Sequence, residues 1–159
     1  VLTGAAGNDS ITGGRGNDIL SGLGGDDVFF VSGNAGFDDY DGGDGFDIIR
    51  GSSGNDIIGL RGVTGLIGIE AIDGGDGFDI LRLDGSANVL DLTGVTLTSI
   101  EQIEGGGGDR ITGSDGDDII VGGSGNDILA GGLGNDTFVF SGRQGRDSFD
   151  GGAGFDTIR

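Results

Sequence analysis

A nine-residue unit recurs along most of this 159-residue chain and limits the folds that the chain can adopt. Well-formed copies carry glycine at positions 1, 2 and 4, aspartate at position 6 and an apolar residue at position 8, as in GGSGNDILA from Gly122. One series of copies begins at Gly4 and a second at Glu104, and each contains two extra residues, 31–32 and 140–141. The insertion shared by both series indicates that a larger unit was duplicated.

The repeated unit predicts a short strand followed by a tight turn. Position 8 is apolar in every copy, which gives each unit one inward-facing side chain on a very short strand. The glycines permit the positive φ angles that a tight reversal needs. Two units then close one coil of about 18 residues, and stacked coils place parallel strands roughly 4.8 Å apart. The sequence therefore predicts an all-β fold, a parallel β-roll or β-solenoid with a thin core.

We expect one continuous domain in three parts. A repeat block covers 1–59, degenerate repeats and spacers cover 60–103, and a second repeat block covers 104–159. The chain begins at Val1 rather than at a methionine. We therefore expect it to be a fragment of a larger protein, in which the rest of the polypeptide is a partner of the roll.

The middle of the chain departs from the repeat. One clear unit begins at Gly74, and the degraded unit that follows it has Asn88 where aspartate is expected. Two similar spacers, 60–73 and 92–104, share an I-E-x-I motif and are rich in Val, Ile, Leu and Thr. This composition favours strands that continue the solenoid, with a short helix over 97–104 as the alternative. We expect no metal-ligand pattern in the spacers.

The charge of the chain excludes several classes of partner. It has 27 acidic side chains, 24 of them aspartate, against eight arginines, which gives a net charge of −19 at pH 7. Such a surface repels nucleic-acid phosphates and anionic lipids. No apolar run approaches the roughly 18 residues of a transmembrane helix, and the absence of cysteine excludes disulfides and thiolate metal sites. We expect neither a nucleic-acid partner nor a membrane span.

Position 6 is the chemically distinctive position of the unit. When two units form a coil, the aspartates of alternate units stack in columns, where like charges repel strongly unless a cation neutralises them. Carboxylates and turn carbonyls are hard oxygen ligands, and Ca²⁺ takes six to eight of them in a flexible geometry that suits such turns better than Mg²⁺ does. Zn²⁺ would lack its His or Cys ligands. The pattern therefore predicts several Ca²⁺ ions held by the position-6 aspartates, which are Asp9, Asp18, Asp27, Asp38, Asp47, Asp56, Asp79, Asp109, Asp118, Asp127, Asp136, Asp147 and Asp156.

Other interpretations of the glycine-rich turns fit the residues less well. Turns that only reverse the chain would not need aspartate in 13 of 14 copies. A P-loop requires a lysine, which the chain lacks, and an EF-hand requires a glutamate at its twelfth loop position. A catalytic pair of carboxylates needs two groups in different environments, whereas these turns are alike. We therefore predict that the chain is not an enzyme.

The repeated units resemble the RTX (repeats-in-toxin) family, whose consensus is GGxGxDxUx. The resemblance covers 4–59, 74–91 and 104–159. It implies a Ca²⁺-dependent parallel β-roll in a secreted bacterial protein, with each ion held between one turn and the second turn after it. In that family the earlier turn supplies carbonyls 2 and 4 and its aspartate, and the later turn supplies carbonyls 1 and 3 and its aspartate.

Carried onto this chain, the resemblance implies four sets of ligands. The first block would use Ala5, Gly7 and Asp9 with Gly22, Gly24 and Asp27, and also Gly14, Gly16 and Asp18 with Gly33, Ala35 and Asp38. The second block would use Gly105, Gly107 and Asp109 with Gly122, Ser124 and Asp127, and also Ser114, Gly116 and Asp118 with Gly131, Leu133 and Asp136. Some turns depart from the consensus by carrying phenylalanine at position 5, and we expect these rings to pack against neighbouring turns: Phe37, Phe46, Phe78 and Phe155.

Two functions are compatible with this resemblance. The first is a non-enzymatic calcium-binding module of a large secreted bacterial protein, such as a surface adhesin, that leaves the cell by type I secretion and folds on Ca²⁺ outside. The second is a C-terminal secretion, folding or substrate-binding module of a secreted protease, lipase or alginate epimerase. The arginines that end the GFDxxR units, Arg50, Arg82 and Arg159, are expected to relieve the charge of nearby aspartates, with a surface glycan as an alternative partner.

Overall fold

The computed structural model of the chain describes residues 1–61, 65–140 and 145–159. All regular structure in these ranges is β-strand, and all paired strands are parallel. The predicted all-β parallel solenoid is therefore confirmed. Residues 62–64 of the first spacer and residue 141 of the second insertion lie outside the described ranges. No helix within those ranges has the length and apolar character needed to cross a membrane.

Within the described ranges, nineteen short strands make four sheets, and two of these sheets form the first part of the solenoid. Sheet A contains β1 Leu2–Thr3, β3 Ile19–Gly24, β5 Asp39–Asp44 and β8 Leu66–Ile67. Sheet B contains β2 Ser10–Ile11, β4 Val28–Phe30, β6 Ile48–Arg50, β9 Ala71–Asp73 and β12 Thr96–Thr98.

The other two sheets form the last part of the solenoid. Sheet C contains β7 Ile57–Leu60, β10 Ile80–Leu83, β13 Gln102–Glu104, β15 Ile119–Val121, β17 Thr137–Phe138 and β19 Thr157–Ile158. Sheet D contains β11 Val89–Asp91, β14 Arg110–Thr112, β16 Ile128–Leu133 and β18 Ser148–Ala153.

Each repeat block has the predicted coil of two units. Asp9 and Asp27 occupy equivalent places 18 positions apart. Asp18 and Asp38 are 20 positions apart because the two-residue insertion lies between them. Alternate units therefore stack directly on one another, as a period of two units per coil requires.

The middle of the chain uses three strands per coil, so the prediction of two strands per coil is wrong there. Strands β7, β8 and β9 form one coil and β10, β11 and β12 form the next. The spacers lengthen these coils to 22 or 23 residues, which leaves room for a third strand. The second spacer forms β12 and β13, so its alternative as a helix over 97–104 is also wrong.

The core is a single file of inward-facing side chains. Twelve of the position-8 residues are buried: Ile11, Leu20, Phe29, Tyr40, Ile49, Ile58, Leu81, Leu90, Ile111, Ile120, Leu129 and Phe138. The position-8 residue of strand β19, Ile158, is exposed. The three-strand coils have a wider core, to which the spacers and their flanks add Leu60, Ile72, Leu83, Leu92 and Ile103.

Paired aromatic rings come from the units that flank each insertion in the sequence. The rings of Phe29 and Tyr40 meet edge to face with centroids 5.6 Å apart, and those of Phe138 and Phe149 do so at 5.3 Å. Each pair occupies position 8 of the two units that flank an insertion. Edge-to-face aromatic pairs of this kind add stability beyond the apolar area that they bury.

Candidate metal centre

The position-6 aspartates stand in columns that run along the solenoid. In most of them the amide donates a hydrogen bond to the carboxylate of the equivalent residue in the next coil, as Asp9 does to Oδ1 of Asp27 at 2.7 Å, whereas the Asp38 amide donates to the carbonyl of Gly59. The same bond joins Asp18 to Asp38, Asp27 to Asp47, Asp56 to Asp79, Asp109 to Asp127, Asp118 to Asp136, Asp127 to Asp147 and Asp136 to Asp156. All 13 predicted aspartates therefore belong to columns of stacked carboxylates.

Five of these aspartates have a buried carboxylate oxygen, Oδ2, with no hydrogen-bond partner among the described residues. They are Asp27, Asp47, Asp79, Asp127 and Asp136, and none has an exposed fraction above 1%. A buried charged group without a partner costs more than the roughly 1–3 kcal/mol of an unpaired neutral group. Each of these oxygens is therefore a candidate ligand for a cation.

Two kinds of turn explain why only some Oδ2 atoms lack a partner. In the first kind the position-2 amide donates to Oδ2 of its own turn, from Ala5 to Asp9 at 2.6 Å, from Ser52 to Asp56 at 2.5 Å and from Ser114 to Asp118 at 2.7 Å. In the second kind position 2 is left-handed and this bond is missing. In the turns of the five unpartnered aspartates the left-handed residues, with φ between 81° and 112°, are Leu23, Gly43, Gly75, Gly123 and Gly132. Gly14 and Gly152 are left-handed as well, but Asp18 and Asp156 in their turns are not buried.

The position-1 glycine leaves space for a second oxygen beside Oδ2. A Cβ atom on Gly131 would overlap Oδ2 of Asp136 and would lie 2.6 Å from the carbonyl oxygen of Gly151 in the next coil. Gly22, Gly42 and Gly74 have the same two kinds of neighbour, a carboxylate oxygen of their own turn and a carbonyl oxygen of the next coil. A cation at this place would contact oxygens from two coils, which fits the requirements of Ca²⁺.

The structure places the predicted pairs of turns side by side. In the first block the Gly7 amide donates to the carbonyl of Gly24 at 2.5 Å, and the Gly16 amide donates to the carbonyl of Ala35 at 2.7 Å. In the second block the carbonyl of Gly131 lies beside Gly113 and the Asp118 carboxylate. These contacts bring carbonyl and carboxylate oxygens of alternate units to the same edge of the solenoid.

One predicted turn is aligned wrongly by a single residue. The Gly106 amide donates to Oδ2 of Asp109 at 2.6 Å, the bond that position 2 makes in other turns. Gly105 therefore occupies position 1, not position 2, and its assignment as the position-2 carbonyl is incorrect. The unit is one residue shorter than the others because Glu104 belongs to strand β13.

A comparison with protein families decides what kind of repeat this is. The model of the RTX calcium-binding nonapeptide repeat matches the chain four times, at 1–30, 32–60, 105–138 and 139–159. The chain belongs to the RTX calcium-binding repeat family. A search of curated proteins and a search of solved structures gave no match. The fold is accordingly an RTX β-roll, and it is a calcium-binding module.

The oxygen atoms of this RTX roll fit Ca²⁺ rather than softer metals. Within the described ranges, no three or more acidic, histidine or cysteine side chains are close enough together to hold a metal ion. An ion between two coils would therefore depend on two carboxylates and several backbone carbonyls. Such a set of hard, mostly neutral oxygens suits Ca²⁺ and lacks the nitrogen or sulfur ligands that Zn²⁺ prefers.

Burial makes several carboxyls of the RTX columns difficult to ionise. It raises the pKa of Asp118 from the ordinary value of 3.8 to about 6, and the charges of Asp136 and Asp117 add to this effect, while hydrogen bonds from Ser114 oppose it. Burial is also the largest cause of raised pKa values at Asp38, Asp47, Asp79, Asp127 and Asp136. A bound cation would favour the ionised carboxylates and lower these pKa values.

The sequence interpretation missed two members of the columns. The Asp47 amide donates to Oε2 of Glu70, and the Asp79 amide donates to Oε2 of Glu101. Each glutamate thus extends a column of aspartates into a spacer where no ligand pattern was expected. The I-E-x-I motif contained the signal, because its acid stands two residues before a buried isoleucine, as position 6 stands before position 8.

The position-5 phenylalanines do not pack as predicted. Phe46, Phe78 and Phe155 are exposed, and only Phe37 is half-buried. Of the arginines predicted to relieve charge, Arg82 donates to Glu104 at 2.6 Å and Arg50 lies 3.6 Å from Asp73. Such partly exposed pairs contribute only about 0–1 kcal/mol each to stability.

Proposed function

We propose that this RTX roll is a non-enzymatic module of a secreted bacterial protein that folds when it binds Ca²⁺ outside the cell. The observation that carries the proposal is the set of five buried Oδ2 atoms without a hydrogen-bond partner among the described residues. Four of them lie beside a carbonyl oxygen of the next coil. Such a structure is costly without a cation and stable with one.

The net charge supports coupling between ion binding and folding. At −19 the chain repels itself, and its single file of core residues buries little apolar surface to oppose that repulsion. Without Ca²⁺ we expect an expanded chain, which suits passage through a narrow secretion channel. Extracellular calcium modules bind Ca²⁺ with dissociation constants of roughly 10⁻⁴ to 10⁻³ M, so the ion would bind only after export.

A catalytic role has no support in the arrangement of the acids. General acid and base catalysis requires two groups whose environments separate their pKa values. The column aspartates share one hydrogen-bond pattern from coil to coil, and their carboxylates face neighbouring turns. This repetition supports a role in holding the coils together.

The buried Tyr40 offers a direct test of the folding proposal. It is the only tyrosine in a chain without tryptophan, it is 1% exposed, and its hydroxyl donates to Oδ2 of Asp38. We expect addition of CaCl₂ to the chelator-treated chain to produce parallel β-structure in far-ultraviolet circular dichroism, together with protection of Tyr40 fluorescence from quenchers. A chain that is already fully β-structured in excess EDTA would contradict the proposal.

A substitution in one column tests the sites themselves. Asp127→Asn removes the charge of a column aspartate whose Oδ2 lacks a partner, whereas Asp115→Asn removes the charge of an exposed aspartate at position 3. Both changes alter the net charge equally. We expect Asp127→Asn to raise the CaCl₂ midpoint of folding severalfold and Asp115→Asn to leave it nearly unchanged. Equal midpoints for the two variants would show that the columns do not bind Ca²⁺.

A further inference from the structure

Glutamates close two of the aspartate columns. The Asp47 amide donates to Oε2 of Glu70 at 2.8 Å, and the Asp79 amide donates to Oε2 of Glu101 at 2.6 Å. In the repeat blocks the same amide donates to Oδ1 of an aspartate in the next coil. Each glutamate therefore occupies the place of a position-6 aspartate, although its segment does not match the nonapeptide.

The aspartate whose amide donates to each glutamate has a carboxylate oxygen that could bind a cation. Oδ2 of Asp47 and Oδ2 of Asp79 have no hydrogen-bond partner among the described residues, and both side chains are 0% exposed. These are the same features that mark Asp27, Asp127 and Asp136 in the regular columns. The unpartnered oxygens thus occur below glutamates as well as below aspartates.

The spacers also supply the carbonyl oxygen that regular turns supply from position 1. A Cβ atom on Gly42 would overlap the Gly68 carbonyl and Oδ2 of Asp47. A Cβ atom on Gly74 would likewise overlap the Ser99 carbonyl and would lie 2.6 Å from Oδ2 of Asp79. Both places therefore hold a carboxylate oxygen and a carbonyl oxygen of the next coil, as the place beside Gly131 does.

The local backbone explains how a short segment replaces a full turn. Gly68 and Ser99 are both left-handed, with φ of 58° and 51°, and each is followed by isoleucine and then glutamate. A non-glycine residue in this region is uncommon and costs roughly 1–2 kcal/mol, so Ser99 is held there by its surroundings. The carbonyl stands two positions before its acid, against five positions in a regular unit. The glutamate side chain is one methylene longer than aspartate, which gives it additional reach from the shorter loop.

We propose that Glu70 and Glu101 are ligands of two further Ca²⁺ ions, one with Asp47 and the Gly68 carbonyl and one with Asp79 and the Ser99 carbonyl. This proposal rests on the proposed function of the roll, because it extends the same chemistry to segments outside the nonapeptides. The two ions would fasten the spacer strands β9 and β13 to the coils before them. The three-strand coils would then depend on Ca²⁺ as the two-strand coils do.

The test is the number of ions bound by the 159-residue chain, measured by equilibrium dialysis with ⁴⁵Ca²⁺. We expect Glu70→Gln and Glu101→Gln each to bind one ion fewer than the unmodified chain, and the double variant two fewer. Glu104→Gln is the matched control, because Glu104 accepts a hydrogen bond from Arg82 and its carboxylate lies outside the columns. It should bind as many ions as the unmodified chain.

The outcomes separate this proposal from the proposed function. If the unmodified chain binds no Ca²⁺, the proposed function fails. If it binds Ca²⁺ and the two glutamine variants bind the same number of ions with unchanged affinity, only the glutamate sites are overturned.

A second measurement tests the proposal even if the Glu70→Gln and Glu101→Gln variants do not fold. Glutamate labelled with ¹³C in its side-chain carboxyl reports on only three residues, and Glu104→Gln reduces these to the two of interest. In saturating CaCl₂ the infrared carboxylate bands of both should show the splitting of a coordinated group. Bands of free carboxylates in the folded chain would overturn the proposal.

Discussion

Asn88 shows what can replace a cation at a single residue of the roll. It stands at position 6 of the degraded unit and is 2% exposed. Its side-chain amide donates to the carbonyls of Asp84 at 3.1 Å and Ser86 at 3.0 Å, which are positions 2 and 4 of the same turn. Those carbonyls stand at the two positions that the family resemblance predicts as ion ligands in the earlier turn of a site. The N–H groups of asparagine therefore satisfy oxygens that would otherwise need a metal.

We predict that Asn88→Asp adds a Ca²⁺ site. The change removes the two N–H donors and supplies a carboxylate in the column that contains Asp109, whose Oδ1 already accepts the amide of residue 88. The expected result is one more ion per chain in equilibrium dialysis, with a stronger requirement for Ca²⁺ in folding. Asn17→Asp, at the exposed position 5, adds the same charge outside position 6. A gain of an ion by both variants, or by neither, would contradict the prediction.

A second ladder of hydrogen bonds runs beside the aspartate columns at the level of the turns. The position-5 side chain accepts the position-5 amide of the next coil, from Asp26 to Asn8 at 2.9 Å and then from Phe46 to Asp26 at 3.0 Å. Likewise, the backbone amide of Phe78 donates to Oδ1 of Asn55, and that of Phe155 donates to Oδ1 of Asn135. The phenylalanine side chain has no acceptor, and within the described ranges four of these ladders end at a phenylalanine, while the one from Asn126 ends at Arg146. This explains why the exposed rings occur where they do.

The turn also depends on the glycine at position 1, which leads to a prediction. Gly131→Ala should place a methyl group against Oδ2 of Asp136 and the Gly151 carbonyl, where the cation is proposed to lie. We expect the change to raise the CaCl₂ midpoint of folding and to destabilise the folded roll by about 1–3 kcal/mol, as overpacking does. The measurement is circular dichroism during CaCl₂ and denaturant titrations.

The matched control for this prediction is Gly85→Ala. A Cβ atom on Gly85 would have no neighbour within 4 Å, and Gly85 does not have a positive φ. It should leave the midpoint close to that of the unmodified chain. If the two alanine variants behave alike, the position-1 glycine has no special role in ion binding.

The charge of the whole molecule predicts opposite effects of acid with and without Ca²⁺. Burial raises the pKa of Asp118 to about 6 from 3.8, so the folded roll binds protons more tightly than the unfolded chain does. This contribution to stability is complete below the unfolded value and is lost as the pH rises through about 6. In EDTA, acidification from about pH 7.5 to about pH 5 should therefore increase β-structure, because protons neutralise the columns in place of the ion.

With Ca²⁺ present, the same acidification should raise the CaCl₂ concentration needed for folding, because protons and Ca²⁺ compete for the carboxylates. Circular dichroism at several pH values, each with EDTA and with a CaCl₂ titration, measures both effects. A roll that loses β-structure on acidification in EDTA, or a CaCl₂ midpoint that falls in acid, would contradict the raised pKa values.

The sequence by itself determined the fold class, the two-unit coil of the repeat blocks and the columns of aspartates. These features follow from a local period: nine residues per strand and turn place position 8 inside and position 6 of alternate units above one another. For this reason Ile120 lies opposite Phe138 in neighbouring parallel strands. For the same reason the Asp118 amide donates a hydrogen bond to the Asp136 carboxylate. Glycine content and the period of the apolar residues were sufficient, because both act within one or two units.

Only the tertiary structure decided which carboxylate oxygens remain without a partner and how the spacers join the roll. Oδ2 of Asp27 lacks a hydrogen-bond partner because the backbone of Leu23 is left-handed. Leucine rarely adopts a positive φ, so the residue type at this position does not predict that conformation. Glu70 and Glu101 meet their columns across coils of 22 or 23 residues, so no nonapeptide period reveals them. Their positions are set by contacts between successive coils, because a parallel solenoid fixes each turn by the turn on which it stacks.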